Sequence, residues 1–146
     1  MKKLIAVLAA LMLLISAVPA LAEGTLRVGM ECGYAPYNWQ QTNETEFTAT
    51  IADGSGYADG YDVQIAILIA KALNMDLEIV KTDWDGLIPS LQSGNIDLII
   101  AGMSPTAERK MTIDFTDHYY QSELVVVVKK DGPYASAKTL DELSGA

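Results

Sequence analysis

Asp97–Leu98–Ile99–Ile100–Ala101–Gly102–Met103–Ser104–Pro105–Thr106–Ala107–Glu108–Arg109 is the stretch on which the fold turns. Its first half is a short apolar run, the pattern of a buried strand. Gly102 breaks the run. Ser104 then stands where a helix cap belongs and Pro105 where a first helical residue belongs, since proline has no N–H to lose there. A strand running into a helix N-terminus leaves backbone N–H groups facing the crevice at the strand's carboxyl end, and such a terminus favours anions. Arg109, about one turn further on, can fork onto a carboxylate with two parallel hydrogen bonds. Ser104 and Thr106 place two hydroxyls beside it. The local chemistry suits capture of a small carboxylate; the plainer alternative is a capped helix with a solvated arginine.

Moving upstream, Leu87–Ser93 reads as a short helix closed by Gly94–Asn95, and Thr82–Gly86 as the loop before it. Met75–Lys81 alternates and reads as a strand. Gly60–Asn74 has the pattern of a helix that is apolar on nearly all sides and therefore heavily buried against a sheet. Asp62 is placed to cap it or to favour its N-terminal dipole, and Asn74 to end it. Gln40–Asp59 is polar and rich in glycine around Asp53–Gly56, a surface excursion in which Phe47–Ile51 alternates weakly as a hairpin strand. Thr25–Met30 reads as the first strand. The loop Glu31–Trp39 follows, punctuated by Gly33 and Pro36. Its rings can wall a pocket; Tyr34 is expected to face that pocket, with Tyr37 and Trp39 covering the core.

Strands alternating with helices in this order imply an α/β fold with a parallel sheet and right-handed crossovers. Ligands of such sheets sit beyond the carboxyl ends of the strands. The loops at that end carry Glu31, Tyr34, Trp84, Ser104 and Arg109, so residues distant in sequence converge there. Downstream, Ser122–Val128 is rich in β-branched residues and reads as a strand. Asp131–Pro133 is a turn, and Thr139–Leu143 a helix start with Thr139 and Glu142 as a capping box.

Residues 1–22 have the layout of a signal peptide: Lys2 and Lys3, an apolar core over Leu4–Val18, and Ala20–Leu21–Ala22 as an A-x-A-like cleavage site. The apolar run is short for a membrane span. Cleavage would leave about 124 residues, enough for one small domain. Loss of the two lysines would take the net charge from −9 to −11. That acidic balance argues against nucleic-acid binding. A single cysteine, Cys32, forms no internal disulfide and reads as a small buried hydrophobe, a catalytic thiol being the alternative. One histidine and one cysteine without clustered partners make no metal set. No phosphate loop or dinucleotide fingerprint is present, so no cofactor is expected.

Four segments together resemble the family 3 extracellular solute-binding proteins, the amino-acid receptors of ABC importers. Gly60–Ile65 resembles the signature helix of that family, with Gln64 where an acid is usual. Trp84–Leu91 resembles its aromatic-x-G-hydrophobic-hydrophobic-P-x-L element. Ala101–Arg109 resembles its carboxylate-binding turn. Asp114–Tyr120 resembles its D-F-[ST]-x-P-Y-Y stretch, with His118 in place of proline.

The resemblance implies a type II periplasmic-binding-protein fold whose two lobes close on the ligand. Residues 23–120 would form lobe 1, and residues 121–146 the crossover strand and the start of an incomplete lobe 2. Most of lobe 2 is then missing, which implies a fragment or truncated product whose ligand binding alone is weak or absent. By position, Arg109 would bind the α-carboxylate with help from Ser104, and Gly102 would offer its carbonyl to the α-ammonium. Trp84 and Tyr34 would sandwich the ligand side chain. Glu31 falls where an acid accompanies polar or basic ligands, and Thr106 is a further ligand contact. The implied function is extracytoplasmic binding of a free amino acid for delivery to an ABC permease, with the membrane engaged only through that permease. Two alternatives stand beside it: an exported dehydratase-like enzyme using Glu31 as general acid, and the sensor module of a membrane receptor. The non-enzymatic reading is preferred because no catalytic constellation is visible.

Overall fold

The computed structural model describes residues 24–145. The signal-peptide reading of residues 1–22 lies outside the described residues. The chain falls into two units, one ending at Asp114 and one beginning at Phe115.

The first unit is built on three parallel strands in the order β6-β1-β7: β1 (Thr25–Met30), β6 (Asp76–Lys81) and β7 (Leu98–Ile99). β1 lies in the middle, with Val28 opposite Ile79 on one side and opposite Leu98 on the other. Leu26, Val28 and Met30, alternate residues on one face of this central strand, are buried, and on the other face Gly29 is buried beneath Ile96 and Leu87. A Cβ on Gly29 would run into the side-chain ends of Ile96 and Leu87, which would have to shift to admit it. The three parallel strands share one carboxyl end. Glu31, Thr82 and Ile100 leave the sheet there.

α1 (Tyr61–Leu73) and α2 (Trp84–Gln92) make the crossovers between β1, β6 and β7. α1 buries a stripe of Asp62, Val63, Ala66 and Ala70, while Leu68 and Leu73 are exposed. The expectation of a heavily buried helix holds for this stripe and is corrected for Leu68 and Leu73. The small alanines let this face approach closely, Ile65, Ile67 and Ile69 pack partly buried against the same core, and of the larger aliphatic residues only Leu68 and Leu73 are left exposed. Asn74 ends the helix in the left-handed conformation (φ 53°), donating its N–H to Lys71 O. The N-cap is Gly60 and not Asp62, whose carboxylate is turned inward. α2 begins three residues earlier than the sequence pattern suggests, which places Trp84 on its first turn.

A second sheet of four short antiparallel strands has the order β2-β3-β5-β4: β2 (Gly33–Tyr34), β3 (Asn38–Gln41), β4 (Ala49–Thr50) and β5 (Tyr57–Asp59). The stretch read as a surface excursion, Gln40–Asp59, stays irregular for most of its length, with only Gln40–Gln41, Ala49–Thr50 and Tyr57–Asp59 in strands. The Phe47–Ile51 strand contracts to two residues. An isolated parallel bridge between Ile51 and Ile79 joins the two sheets, with Ala52 N–H donating to Ile79 O at 2.8 Å. Ile51, Ala58 and Cys32 are buried with the β1 and α1 core.

The helix expected from Ser104 does not form. Thr106 N–H donates to Ser104 O at 2.9 Å in a tight turn, and a single 3₁₀ turn follows at Arg109–Met111. Ser104 O accepts from Thr106 N–H and from the Arg109 side chain instead of from an N–H four residues on, so no helical ladder starts there.

In the second unit, the strand expected over Ser122–Val128 is not formed, and Leu124–Val127 are exposed. β-branched residues favour strands by packing on a pleated neighbour, and these side chains rest on none. Turns follow at Lys129–Gly132 and Gly132–Ala135. The expected helix start is one 3₁₀ turn, Asp141–Leu143. Glu142 accepts the N–H of Lys138 at 2.8 Å, one residue before the cap position assigned to Thr139.

Candidate functional site

The shared carboxyl end of β1, β6 and β7 brings several of the predicted residues together. β7 leads through Ile100 and Ala101, both buried, to Gly102. Gly102 adopts φ 61°, the left-handed region where glycine carries no steric cost. A Cβ at Gly102 would lie 3.3 Å from Tyr34 Cε1, so the ring of Tyr34 rests against this turn. Tyr34 in turn stacks on Tyr37, with ring centroids 4.9 Å apart. Tyr37 thus backs the exposed ring of Tyr34 rather than only covering the core. Trp39 packs over Gly60, as expected of a covering residue.

Arg109 and Trp84 meet across the turn. The guanidinium carbon sits 5.2 Å from the centroid of the Trp84 ring, within cation–π range. One guanidinium N–H, from Nη1, donates to the carbonyl of Ser104 at 3.0 Å. The Thr106 hydroxyl accepts the backbone N–H of Arg109 at 3.3 Å. Thr106 and Ser104 thus both hold Arg109, the first through its hydroxyl and the second through its carbonyl, and Ser104 caps no helix. Arg109 is half-buried, and among the described residues it makes no ion pair with any carboxylate. A planar cation held against a ring, with most of its five donors uncommitted, is poised to take a carboxylate from outside the chain.

Glu31 stands apart from this cluster. It is half-buried one residue beyond β1, and its carboxylate makes no hydrogen bond or ion pair among the described residues. It leaves the same carboxyl end of the sheet as the cluster, with no hydrogen bond or ion pair to it among the described residues. Among the described residues there is no group of three or more His, Cys, Asp or Glu placed to hold a metal ion.

Two residues that the sequence did not single out for the site support it from beneath. Asn38 and Asp62 are fully buried. Asn38 Nδ2 donates to Asp62 Oδ2 at 2.8 Å, and Asn38 Oδ1 accepts the N–H of Cys32 at 2.8 Å. Cys32 itself has φ 55° and a buried thiol, whose pKa desolvation pushes up to about 11. The thiol is held neutral and apolar, which suits the reading of a buried hydrophobe. Asp62 was visible in the sequence only as a helix-terminal acid; nothing marked Asn38.

Comparison with known proteins places the chain. The family described as bacterial extracellular solute-binding proteins, family 3, matches residues 26–143. The arginine-binding extracellular protein ArtP of Bacillus subtilis is 41% identical over 81 residues, 56% of this chain and 32% of ArtP. The crystal structure of the substrate binding protein of an amino acid ABC transporter superposes with a TM-score of 0.61 at 43% identity, covering 75% of this chain and 45% of that one. The arginine-bound form of domain 1 from TmArgBP superposes with a TM-score of 0.55 at 37% identity, covering 66% of this chain and 68% of that one. The chain spans 32–46% of the length of the curated relatives it matches. Among the described residues no helix is long and apolar enough to cross a membrane. With a matching parallel α/β lobe and a family match over most of its length, the chain belongs to the bacterial extracellular solute-binding proteins of family 3.

Proposed function

We propose that this chain binds a free amino acid with a polar or basic side chain outside the cytoplasm and delivers it to the permease of an ABC importer. The observation that carries the reading is the Arg109 guanidinium. It is half-buried over Trp84, tethered by one donor to Ser104 O, and without a carboxylate of its own among the described residues. In this reading Arg109 forks onto the α-carboxylate, with the hydroxyls of Ser104 and Thr106 beside it. The carbonyl of Gly102 accepts from the α-ammonium. Trp84 and Tyr34 flank the side chain, and Glu31 pairs with a cationic or amide end. The family description supports an extracellular place of action, and the ABC-transporter neighbour supports the importer.

The arginine-bound domain 1 of TmArgBP bears on whether one lobe can hold a ligand. By analogy this chain binds weakly but measurably. Isothermal titration calorimetry with arginine, histidine and glutamine tests it. Arg109→Ala is expected to weaken binding by about 2 kcal/mol or more, on the order of thirtyfold, because a charge-assisted pair is lost. Equal affinity in the variant and the unaltered chain, or no binding of any of the three, overturns the reading.

A further inference from the structure

Tyr34 is 48% exposed, so its own packing does little to fix its position. The loop that carries it is fixed from below. Tyr34 O accepts the N–H of Tyr37 at 2.9 Å. Pro36 O and Tyr37 O accept the N–H groups of Tyr61 and Asp62, at 3.1 and 2.8 Å, at the start of α1. Behind this backbone clamp runs the side-chain relay from the Cys32 N–H through Asn38 to the Asp62 carboxylate, with both bonds 2.8 Å long. The relay reaches Cys32, a non-glycine residue in the left-handed region two positions before Tyr34.

A buried carboxylate is an expensive way to fill space, since its desolvation must be offset by hydrogen bonds. An apolar pair of similar volume would pack the same gap without that penalty. What a fully satisfied buried polar pair adds is directionality: the amide and carboxylate fix one geometry where apolar groups would tolerate several. Here the geometry fixed is that of residues 32–38. No buried side-chain polar atom lacks a partner among the described residues.

We propose that Asp62 and Asn38 are positioning residues: their buried pair holds the Tyr34 loop on the N-terminal turn of α1, and so sets how the pocket discriminates ligand side chains. The inference rests on the amino-acid reading of the site for its selectivity claim, and on the loop geometry alone for its positioning claim.

The two claims are read separately in the full 146-residue chain. Cys32, the single cysteine, reports on the loop through its rate of reaction with Ellman's reagent under native conditions at fixed pH. Asn38→Ala severs both bonds and is expected to raise that rate about tenfold or more. Asp62→Asn keeps an acceptor for Asn38 and is expected to react within about threefold of the unaltered chain. Should Asn38→Ala fail to fold, Asn38→Ser, too short to reach both partners, is read in the same way. An unchanged thiol rate in the folded variant overturns the positioning claim.

Selectivity is read by calorimetry with arginine and alanine, the second having no side chain long enough to reach the wall. Loss of the relay is expected to weaken arginine roughly tenfold and alanine by less than about threefold. Equal losses for both overturn the selectivity claim. Failure of the unaltered chain to bind either amino acid sinks the functional reading and the selectivity claim together, while the thiol rates still decide whether the relay holds the loop.

Discussion

Leu98–Ala101 and Leu124–Val128 are both short aliphatic runs, and periodicity reads both as strands. In the first, Ile100 and Ala101 are 5% and 2% exposed; in the second, Leu124 is fully exposed and Val127 89% exposed. The first run has a neighbour. β1 takes the N–H of Asp97 on Arg27 O at 2.8 Å and that of Ile100 on Gly29 O at 3.2 Å, bracketing the paired residues Leu98 and Ile99. Among the described residues no backbone hydrogen bond reaches 124–128. Strand propensity is a statement about packing on a pleated neighbour, so the same composition produces a strand only where an edge is offered. An exposed run of five aliphatic residues, four of them β-branched, without charge is also a candidate for pairing with other chains.

The sharpest way to break this comparison is to truncate one side chain in each region. Ile79 is fully buried opposite Val28. Ile79→Ala is expected to cost about 2–5 kcal/mol of unfolding free energy, through lost burial and the cavity left behind. Val126, 60% exposed, is expected to shift stability by no more than about 0.5 kcal/mol as Val126→Ala. Urea unfolding measures both. A cost at Val126 similar to that at Ile79 would mean that the second run is packed after all.

The boundary between what the sequence showed and what it did not follows the same line. β1, α1 and β6 were legible to within a residue or two, because long periodic segments carry their own burial pattern. The four-stranded sheet was largely illegible. Its strands are two to four residues long, and Asn38–Trp39–Gln40–Gln41 has no apolar alternation. Those strands exist because their backbones find partners, which no local pattern records. At the candidate site, the order of strands and helices was enough to put Trp84 and the Gly102–Arg109 segment at the carboxyl end of the sheet. The helix expected to carry Arg109 was not formed, yet the turn still brings its guanidinium to Trp84. Asn38 was invisible because a buried asparagine is defined by its partners, and both lie elsewhere in the chain.

A second contrast lies where β5 turns into α1. Gly60 has φ 124°, and a Cβ there would collide with Tyr37 O and the Trp39 ring. Gly60→Ala therefore combines a backbone conformation that L-residues avoid with a steric clash. It is expected to cost about 1–3 kcal/mol and to loosen the aromatic loop. Gly54, also at positive φ (73°) but with open space around it, isolates the conformational part. Gly54→Ala should cost less than Gly60→Ala by thermal unfolding. Equal costs would show that the close approach of the Tyr37 carbonyl is unimportant.

The smallest expected effect lies at the edge where β7 meets β1. Arg27 donates to Asp97 through Nη2 at 2.7 Å and Nε at 3.1 Å, and its backbone N–H donates to Oδ2 at 2.9 Å. These bonds, chiefly the side-chain one from Arg27, lower the pKa of Asp97 below the ordinary carboxylate value. A carboxylate whose pKa is depressed in the fold stabilises it above the unfolded-state pKa, about 3.9, and loses that contribution as pH falls through the folded value. Asp97→Asn should therefore flatten the acid limb of the stability curve below about pH 4 and change stability near pH 7 only slightly. Both side chains are more than a third exposed. Solvent screening then keeps the neutral-pH effect below about a fivefold change in the unfolding equilibrium, and added salt shrinks it further. Acid unfolding of the two chains, followed by circular dichroism at low and high salt, measures the difference. An unchanged acid limb in Asp97→Asn would mean that the pair adds nothing to the seam, and that the pairing of Leu98–Ile99 with β1 rests on backbone bonds and burial alone.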